Sequence, residues 1–473
     1  MRTKIVATLG PATQNRDSVR SLIDAGVDVF RLNASHGTPE EHERSIKIVR
    51  ETADDLRKHI GILLDLQGPK IRLGTFETGS AVLATGQRFA ITVESVPGTA
   101  QRASTTYKDF VKDVKPGQRV LIADGAVELR VVETSATDAI CEVVAGGEIR
   151  DRQGINLPGA DLSVASLTKK DLTDLRWGMD AGVDLVALSF VRRREDVMRL
   201  KLWMDEAGCS TPVIAKIEKP EGWKNLGEIL EESDGVMVAR GDLGVEIALE
   251  RVPFIQKSII ARARRCGKFV ITATQMLESM IEHPYPTRAE VSDVANAIYD
   301  GTDAVMLSAE TSRGAYPVDS VKMMARIAVE AEKSLREHGY QELPRREHPT
   351  YADIIADMAY RAVFLQDSRA VCVFTASGSS ARLVSRHRPP VPIYAFTTTG
   401  TVARRLSVIY GVEPVLVDDL RSTDDMMAVM DRTLLEKELA QKGDGVVFVA
   451  GQPIGRPGTT NLIKLHRVGE LRT

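Results

Sequence analysis

Short runs of contiguous apolar, often β-branched residues alternate along the chain with stretches whose apolar positions recur at helical spacing. Eight of the short runs predict strands, at 4–9, 28–32, 60–65, 184–189, 213–216, 235–239, 268–272 and 303–307. The helical stretches between and after them are 17–25, 39–58, 170–181, 195–207, 222–231, 253–266, 287–300 and 317–336. Strands that are apolar throughout, rather than alternately, predict a parallel sheet covered on both faces. Eight β-then-α units spread over roughly 250 residues, once one insert is set aside, predict an α/β fold built on a (β/α)8 TIM barrel. An open doubly wound sheet carries the same local signature.

The insert interrupts the pattern after the third strand. Residues 71–164 have few helical stretches, many Val/Thr/Gly alternations, and turn signals at Lys115-Pro116-Gly117, Ala123-Asp124-Gly125 and Gly146-Gly147. This predicts a small all-β domain, which a βα loop would hang over the C-terminal face of the barrel as a lid. The barrel is then formed by 1–70 and 165–338. Residues 339–473 return to a shorter αβ alternation, with strands expected at 370–375, 392–396 and 445–450 and helices at 381–388 and 422–442. They predict a C-terminal α/β domain, joined through the polar, proline-bearing linker 341–349.

Composition narrows the class. The 473 residues are 43% hydrophobic and 27% charged, and their length calls for two or three domains. No apolar run approaches the roughly 18 residues needed to span a bilayer, and the opening MRTKIVATLGPAT lacks the regions of an export signal. Cys141, Cys209, Cys266 and Cys372 form no CxxC pair and read as reduced thiols. The expectation is a cytoplasmic enzyme or binding protein without a membrane partner, and a net charge of −3 gives no reason to expect a nucleic-acid one.

Barrel enzymes carry their reacting groups at the C-terminal ends of the strands. Those ends hold Arg31 to Gly37 after strand two, Asp65 to Arg72 after strand three, and Lys216 to Lys219 after strand five. Arg240 to Gly244 follow strand six, Thr274 and Gln275 strand seven, and Ser308 to Thr311 strand eight. Such a rim suits a polyanionic substrate. Glu218 and Asp242 are candidate Mg²⁺ ligands, since that ion takes one or two carboxylates plus water and substrate oxygens. Arg31, Arg72 and Lys216 are candidate phosphate contacts, and the Gly241 backbone is a candidate anion contact. Each feature alone has a blander reading: Lys216/Glu218 as a solvated pair, Arg240–Asp242 as a turn, Asp65 as a cap. Their co-location after the strands of one barrel favours a phosphate-and-metal site.

At these residues the chain resembles the pyruvate kinase family. The blocks FRLNASHG, LDLQGPKIRLG, AKIEKPEG, MVARGDLGVEI, the forty residues from Thr272 to Thr311, and GQPIGRPGTTN carry the likeness over essentially the whole chain. The resemblance implies transfer of the phosphoryl group of phosphoenolpyruvate to ADP, giving pyruvate and ATP, with Mg²⁺ or Mn²⁺. It implies that Lys216 stabilises the transferring group, that Glu218 and Asp242 hold the metal, and that Arg31 meets the substrate phosphate. Gly241 and Asp242 match its carboxylate-binding turn, and Thr274 the residue beside the carbon that becomes protonated. Ser308 and Glu310 match a pair in the proton-delivery network. Asn33, Ser35, His36 and Arg72 match contacts to the nucleotide and a monovalent cation, and Asp124 a lid aspartate. A homotetramer is implied as well.

Two departures from the family pattern stand out. The common Asp-Thr-Lys-Gly-Pro-Glu reads Asp65-Leu66-Gln67-Gly68-Pro69-Lys70 here. Leu66 removes a hydroxyl from the cation region formed by Asn33, Ser35 and Asp65, and Lys70 brings an ammonium about the size of K⁺. The expectation is that Lys70, reaching back to Asp65, replaces K⁺ and makes it dispensable. The alternative is a solvated hinge lysine with K⁺ still bound. Gln153 stands where the family often has a nucleotide-contacting lysine, with Arg152 one position away. In the last domain Thr375, Ser377, Gly378, Ser379 and Ser380 form a hydroxyl-rich turn that reads equally as a site for a phosphorylated activator or as a helix cap. Rival functional readings are a Mg-dependent lyase or aldolase on a related barrel, and a catalytically idle regulatory paralogue that binds sugar phosphates.

Overall fold

The computed structural model describes residues 1–160, 162–339, 343, 348–418, 422–456 and 458–470. Most of the linker expected at 341–349 lies outside them. The eight predicted barrel strands form Lys4–Thr8, Val29–Asn33, Gly61–Asp65, Leu185–Leu188, Val213–Ile217, Gly235–Ala239, Phe269–Ala273 and Ala304–Leu307. They close into a barrel in which neighbours pair in parallel, and the last strand returns to the first through Lys4↔Ala304 to Ala7↔Leu307. The open-sheet alternative is thereby excluded.

Burial explains the apolar runs. In the first strand all five residues are buried, but alternate side chains go to different places: Ile5 and Ala7 pack outward on the helices, while Val6 points into the barrel. Val6, Val29, Leu63, Ile214, Met237 and Met306 belong to a cluster that runs without a break into the core of the C-terminal domain. Helix starts follow local chemistry. Thr38 and Glu41 form a capping box on Pro39–Asp55, and Thr287 with Glu290 does the same for Arg288–Tyr299. The helix expected at 222–231 is two helices, Pro220–Lys224 and Leu226–Glu232, broken at Asn225, whose ψ of 16° leaves the helical range.

The inserted segment is mainly β, with a six-stranded sheet, a two-stranded sheet and its own apolar core. The turn read at Ala123-Asp124-Gly125 is a hairpin turn with all three residues at positive φ. After the long helix Pro317–His338, the C-terminal domain holds a five-stranded sheet. Its order is Val412–Leu416, Ile393–Thr397, Ala370–Phe374, Gly445–Gly451, Thr460–Arg467, with only the last strand antiparallel. The sequence pattern missed two of these strands, Val412–Leu416 and Thr460–Arg467, both on edges where exposed residues interrupt the apolar run. Among the described residues no helix is long and apolar enough to cross a membrane.

Candidate active site

Three strand ends converge on one buried ammonium. Lys216, on the fifth strand, lies 2.8 Å from Glu218 Oε1 and 3.2 Å from Asp65 Oδ1, and donates to Ser189 Oγ at 2.7 Å. Burial by itself would lower the lysine's pKa, but Asp65 and Glu218 outweigh it and hold the pKa above the usual lysine range. Lys216 is therefore a permanent cation in a desolvated pocket. Asp65 is buried too, and Lys216 with Arg31 keeps its carboxyl below the usual range against the opposing effect of burial. Arg31 donates from Nε to Asp65 Oδ2 at 2.7 Å and from Nη1 to Thr8 Oγ1 at 3.1 Å. Asp65 is thus the anion that fixes both cations.

Glu218 and Asp242 come within reach of each other's charge. Glu218 accepts the backbone N–H of Phe190 at 2.7 Å, and burial followed by the Asp242 charge pushes its carboxyl up, against the pull of Lys216. Asp242 sits in the first turn of the short helix Arg240–Glu246 and has no hydrogen-bond or ion-pair partner among the described residues. Two mutually repelling carboxylates, one of them unpartnered, make a donor set that a divalent cation would satisfy.

Across the rim, Thr274 is a β-branched residue at φ +67°, a conformation that costs energy and persists only when the surroundings impose it. Arg240 imposes it. Its guanidinium donates to Thr274 O at 3.1 and 2.6 Å and to Gln275 O at 3.0 Å, and is itself anchored on Asp293. The Thr274 hydroxyl accepts the Gly241 N–H at 2.8 Å, so that amide already has a partner inside the protein. Ser308 and Glu310 sit on the same rim. Glu310 accepts the N–H groups of Ser308 and Leu277, and burial pushes its carboxyl up. The Ser308 hydroxyl is buried with no hydrogen-bond partner among the described residues.

Three cavities meet here. One of about 290 Å³ is lined by Asp124, Gly241, Asp242, Thr274, Ser308 and Glu310. A second, about 740 Å³, shares Thr274 and Ser308 with it and adds Arg31, Asn33, His36 and Arg313. The third, about 250 Å³ between insert and barrel, shares Asp124 and Asp242 and adds Lys70, Arg72, Asn156 and Lys219. His36 is pushed down by burial and then by Lys70, Arg72, Arg31 and Arg313, which favours the neutral ring. Ser35 lines none of the three; its N–H caps Asn33 Oδ1 at 3.1 Å.

Lys70 departs from the expected geometry. It does not reach back to Asp65, whose carboxylate is taken by Arg31 and Lys216, and among the described residues no carboxylate lies within ion-pair distance of it. Burial lowers its pKa. Asp242 is the first charge to oppose that, and Glu218 also opposes it, so the ammonium sits in the field of those two carboxylates rather than of Asp65. Leu66 is buried, and its carbonyl accepts from Ser189 Oγ at 2.6 Å. Gln153 is turned onto the Arg150 N–H, and the Arg152 carbonyl accepts from Arg72 Nη1.

In the C-terminal domain, Thr375, Ser377, Ser379 and Ser380 line a separate cavity of about 100 Å³ with Arg456 and Thr460. Gly378 is at φ +87°, and its N–H is capped by Thr375 Oγ1 at 2.9 Å. The Ser380 hydroxyl is tied to Thr460 at 2.6 Å.

The sequence reading missed Ser189, Phe190 and Thr8. Ser189 and Thr8 lie at the ends of strands four and one, the two ends not scanned for polar residues. Phe190 gave no polar signal at all, because it acts through its backbone N–H at φ +55°.

Two family models match the chain: "Pyruvate kinase, barrel domain" over residues 1–321 and "Pyruvate kinase, alpha/beta domain" over 353–466. The pyruvate kinase of Corynebacterium glutamicum is 48% identical over 469 residues, covering 99% of this chain and 98% of that one. The pyruvate kinase of Mycobacterium tuberculosis is 47% identical over 471 residues, covering 99% of both. Among solved structures, a pyruvate kinase from Cryptosporidium parvum superposes with a TM-score of 0.91 at 35% identity, covering 99% of this chain and 96% of that one.

Proposed function

The chain belongs to the pyruvate kinase family and is a phosphotransferase, and from that premise we propose how its residues share the work of moving the phosphoryl group of phosphoenolpyruvate onto ADP without K⁺. The observation that carries this reading is the Lys216 ammonium, held charged between Asp65 and Glu218 on the C-terminal rim of the barrel. A desolvated, fixed cation stabilises charge on a group in transfer without having to reorganise at the moment of reaction. Arg31 is positioned by Asp65 and Thr8 to meet the substrate phosphate. The turn at Gly241 and Asp242 receives the substrate's carboxylate, for which the Gly241 N–H exchanges its bond to Thr274.

The repelling pair Glu218 and Asp242 fits Mg²⁺ or Mn²⁺, and such an ion would neutralise phosphate charge and hold substrate oxygens in line. Thr274, held in a strained turn, sits where the enolate carbon is protonated, and the unpartnered Ser308 hydroxyl and the raised Glu310 carboxyl supply a proton path behind it. Asn33, Ser35, His36, Arg72 and Asp124 receive the nucleotide, a role supported for all but Ser35 by their place on the linked cavities.

Lys70 supplies the monovalent charge. Its support is that Lys70 lines one cavity with Asp242, whose charge acts on it, although it does not make the Asp65 contact expected from its hinge position. The cavity at Thr375–Ser380, with Arg456 at its wall, suits a phosphorylated activator, and the family resemblance supports a homotetramer. The test is pyruvate formation from phosphoenolpyruvate, ADP and Mg²⁺ with a bulky organic counter-cation, before and after K⁺ is added. Equal rates are expected. Activity only with K⁺ would overturn the Lys70 role, and silence in both, with activator screened, would leave the idle paralogue.

A further inference from the structure

Among the described residues, side-chain hydrogen bonds join the inserted domain to the body of the barrel at two places: at the returning connection, where the Arg192 guanidinium donates to the Leu162 and Val164 carbonyls at 2.6 Å each, and at the insert's own sheet. Asn156 Nδ2 donates to Glu246 Oε1 at 3.3 Å. Asn156 belongs to the short strand Ile155–Asn156, which pairs with Leu121 and Ile122, so its position sets that of Asp124 two residues further on. Glu246 closes the helix that begins beside Asp242, and its side chain is buried. The same Oε1 receives the Lys219 ammonium at 2.5 Å, while Oε2 is buried with no hydrogen-bond partner among the described residues.

Lys219 leads back to the catalytic rim. It follows Glu218 directly, and its ammonium lies 5.8 Å from the centre of the Phe190 ring. Phe190 donates its N–H to Glu218 at 2.7 Å. It also touches both segments that connect barrel and insert. Gly68, at φ +68°, packs so close that a Cβ there would come within 2.7 Å of the ring, and Ser166 Oγ donates to the Phe190 carbonyl at 3.1 Å.

We propose that Asn156, Glu246 and Lys219 form a latch that holds the inserted domain at its working angle over the site and, through Phe190, registers that angle to Glu218. The three are positioning residues, and the proposal rests on the function proposed above. In this arrangement Asp124 shares a cavity with Asp242, Thr274 and Ser308, so the latched state is the one with the insert over the rim. Losing the latch lowers the population of that state before substrate binds, and an affinity scales with the fraction of competent protein. Substrates at saturation restore closure, so the loss falls on KM rather than kcat.

The discriminating pair of variants is Asn156→Ala and Asn156→Asp. Aspartate has the shape of asparagine but sets a carboxylate against Glu246, whereas alanine merely removes the donor. The latch predicts that KM for phosphoenolpyruvate rises by roughly 3–10-fold in Asn156→Ala and by more in Asn156→Asp, with kcat within about 2-fold of the original in both. A purely packing role predicts the reverse order, since the isosteric change is then the milder one, and that order or unchanged KM values would overturn the latch. Amide exchange of segments 66–74 and 154–168 supplies a readout free of catalysis. It should quicken in the order original, Asn156→Ala, Asn156→Asp, and equal exchange would overturn the proposal as well. Turnover by the unaltered protein tests the reaction itself, so the two ideas fail separately.

Discussion

The guanidinium of Arg388, carried by the C-terminal domain, donates to the carboxylate of Asp303 at the foot of the eighth barrel strand, 2.8 Å away and with both groups buried. Arg388 also donates to the Gly301 carbonyl at 2.6 Å and lies 4.2 Å from the centre of the Tyr410 ring. Asp303 holds the Val270 N–H in turn, so the pair fastens the C-terminal domain to two barrel strands. Removing one member leaves the other as an uncompensated buried charge. Arg388→Ala should therefore destabilise the protein by about 3–5 kcal/mol, and Arg388→Lys should recover little because the planar fork is lost. Denaturant unfolding checks both, and a loss near zero would show the pair to be incidental.

Lys216→Met keeps the length and removes the charge from between Asp65 and Glu218. We expect kcat to fall at least ~100-fold, as for loss of a principal electrostatic stabiliser. Steady-state kinetics at saturating substrate checks it, and near-normal turnover would refute the role of Lys216.

Lys70→Met removes the ammonium from the field of Asp242 and Glu218. In K⁺-free buffer its activity should drop by roughly 10-fold or more and recover in part when K⁺ is added, because a free cation can then enter the vacated field. A variant that matches the original without K⁺ would mark Lys70 as a solvated hinge residue.

His387, stacked on Tyr360, is pushed down to about 4 by burial and then by the neighbouring Arg386. Above about pH 6.5, the value of an unfolded histidine, both states are neutral at this site and it contributes no pH dependence. Between there and about 4 the unfolded chain takes up a proton that the folded one refuses, so stability falls as the solution is acidified. The loss is complete below the folded value and amounts to at most about 3 kcal/mol, less any screening by solvent at this partly exposed ring. His387→Gln should flatten the stability profile across that window, measured by denaturant titration at a series of pH values. An unchanged slope would assign the acid sensitivity elsewhere.

Much of this was legible along the chain because it depends on local spacing. Contiguous apolar runs such as Lys4–Thr8 announce strands buried on both faces, and polar residues clustered just beyond them announce a rim. Lys216, Glu218, Asp242 and Thr274 could be named on that ground, and the resemblance added their roles. The edge strands Val412–Leu416 and Thr460–Arg467 escaped because exposed residues break their apolar pattern.

What the tertiary structure alone decided is who partners whom. Asp65 pairs with Arg31 and Lys216 rather than Lys70, because barrel closure brings strands two, three and five to one rim while the hinge carries Lys70 toward Asp242. Phe190 matters through a backbone N–H, and Glu246 through residues 27 and 90 positions away. Periodicity reports which face of an element is buried. It carries no record of distances between elements, and those distances set the charge states, the metal-ready carboxylate pair and the hold of the barrel on its inserted domain.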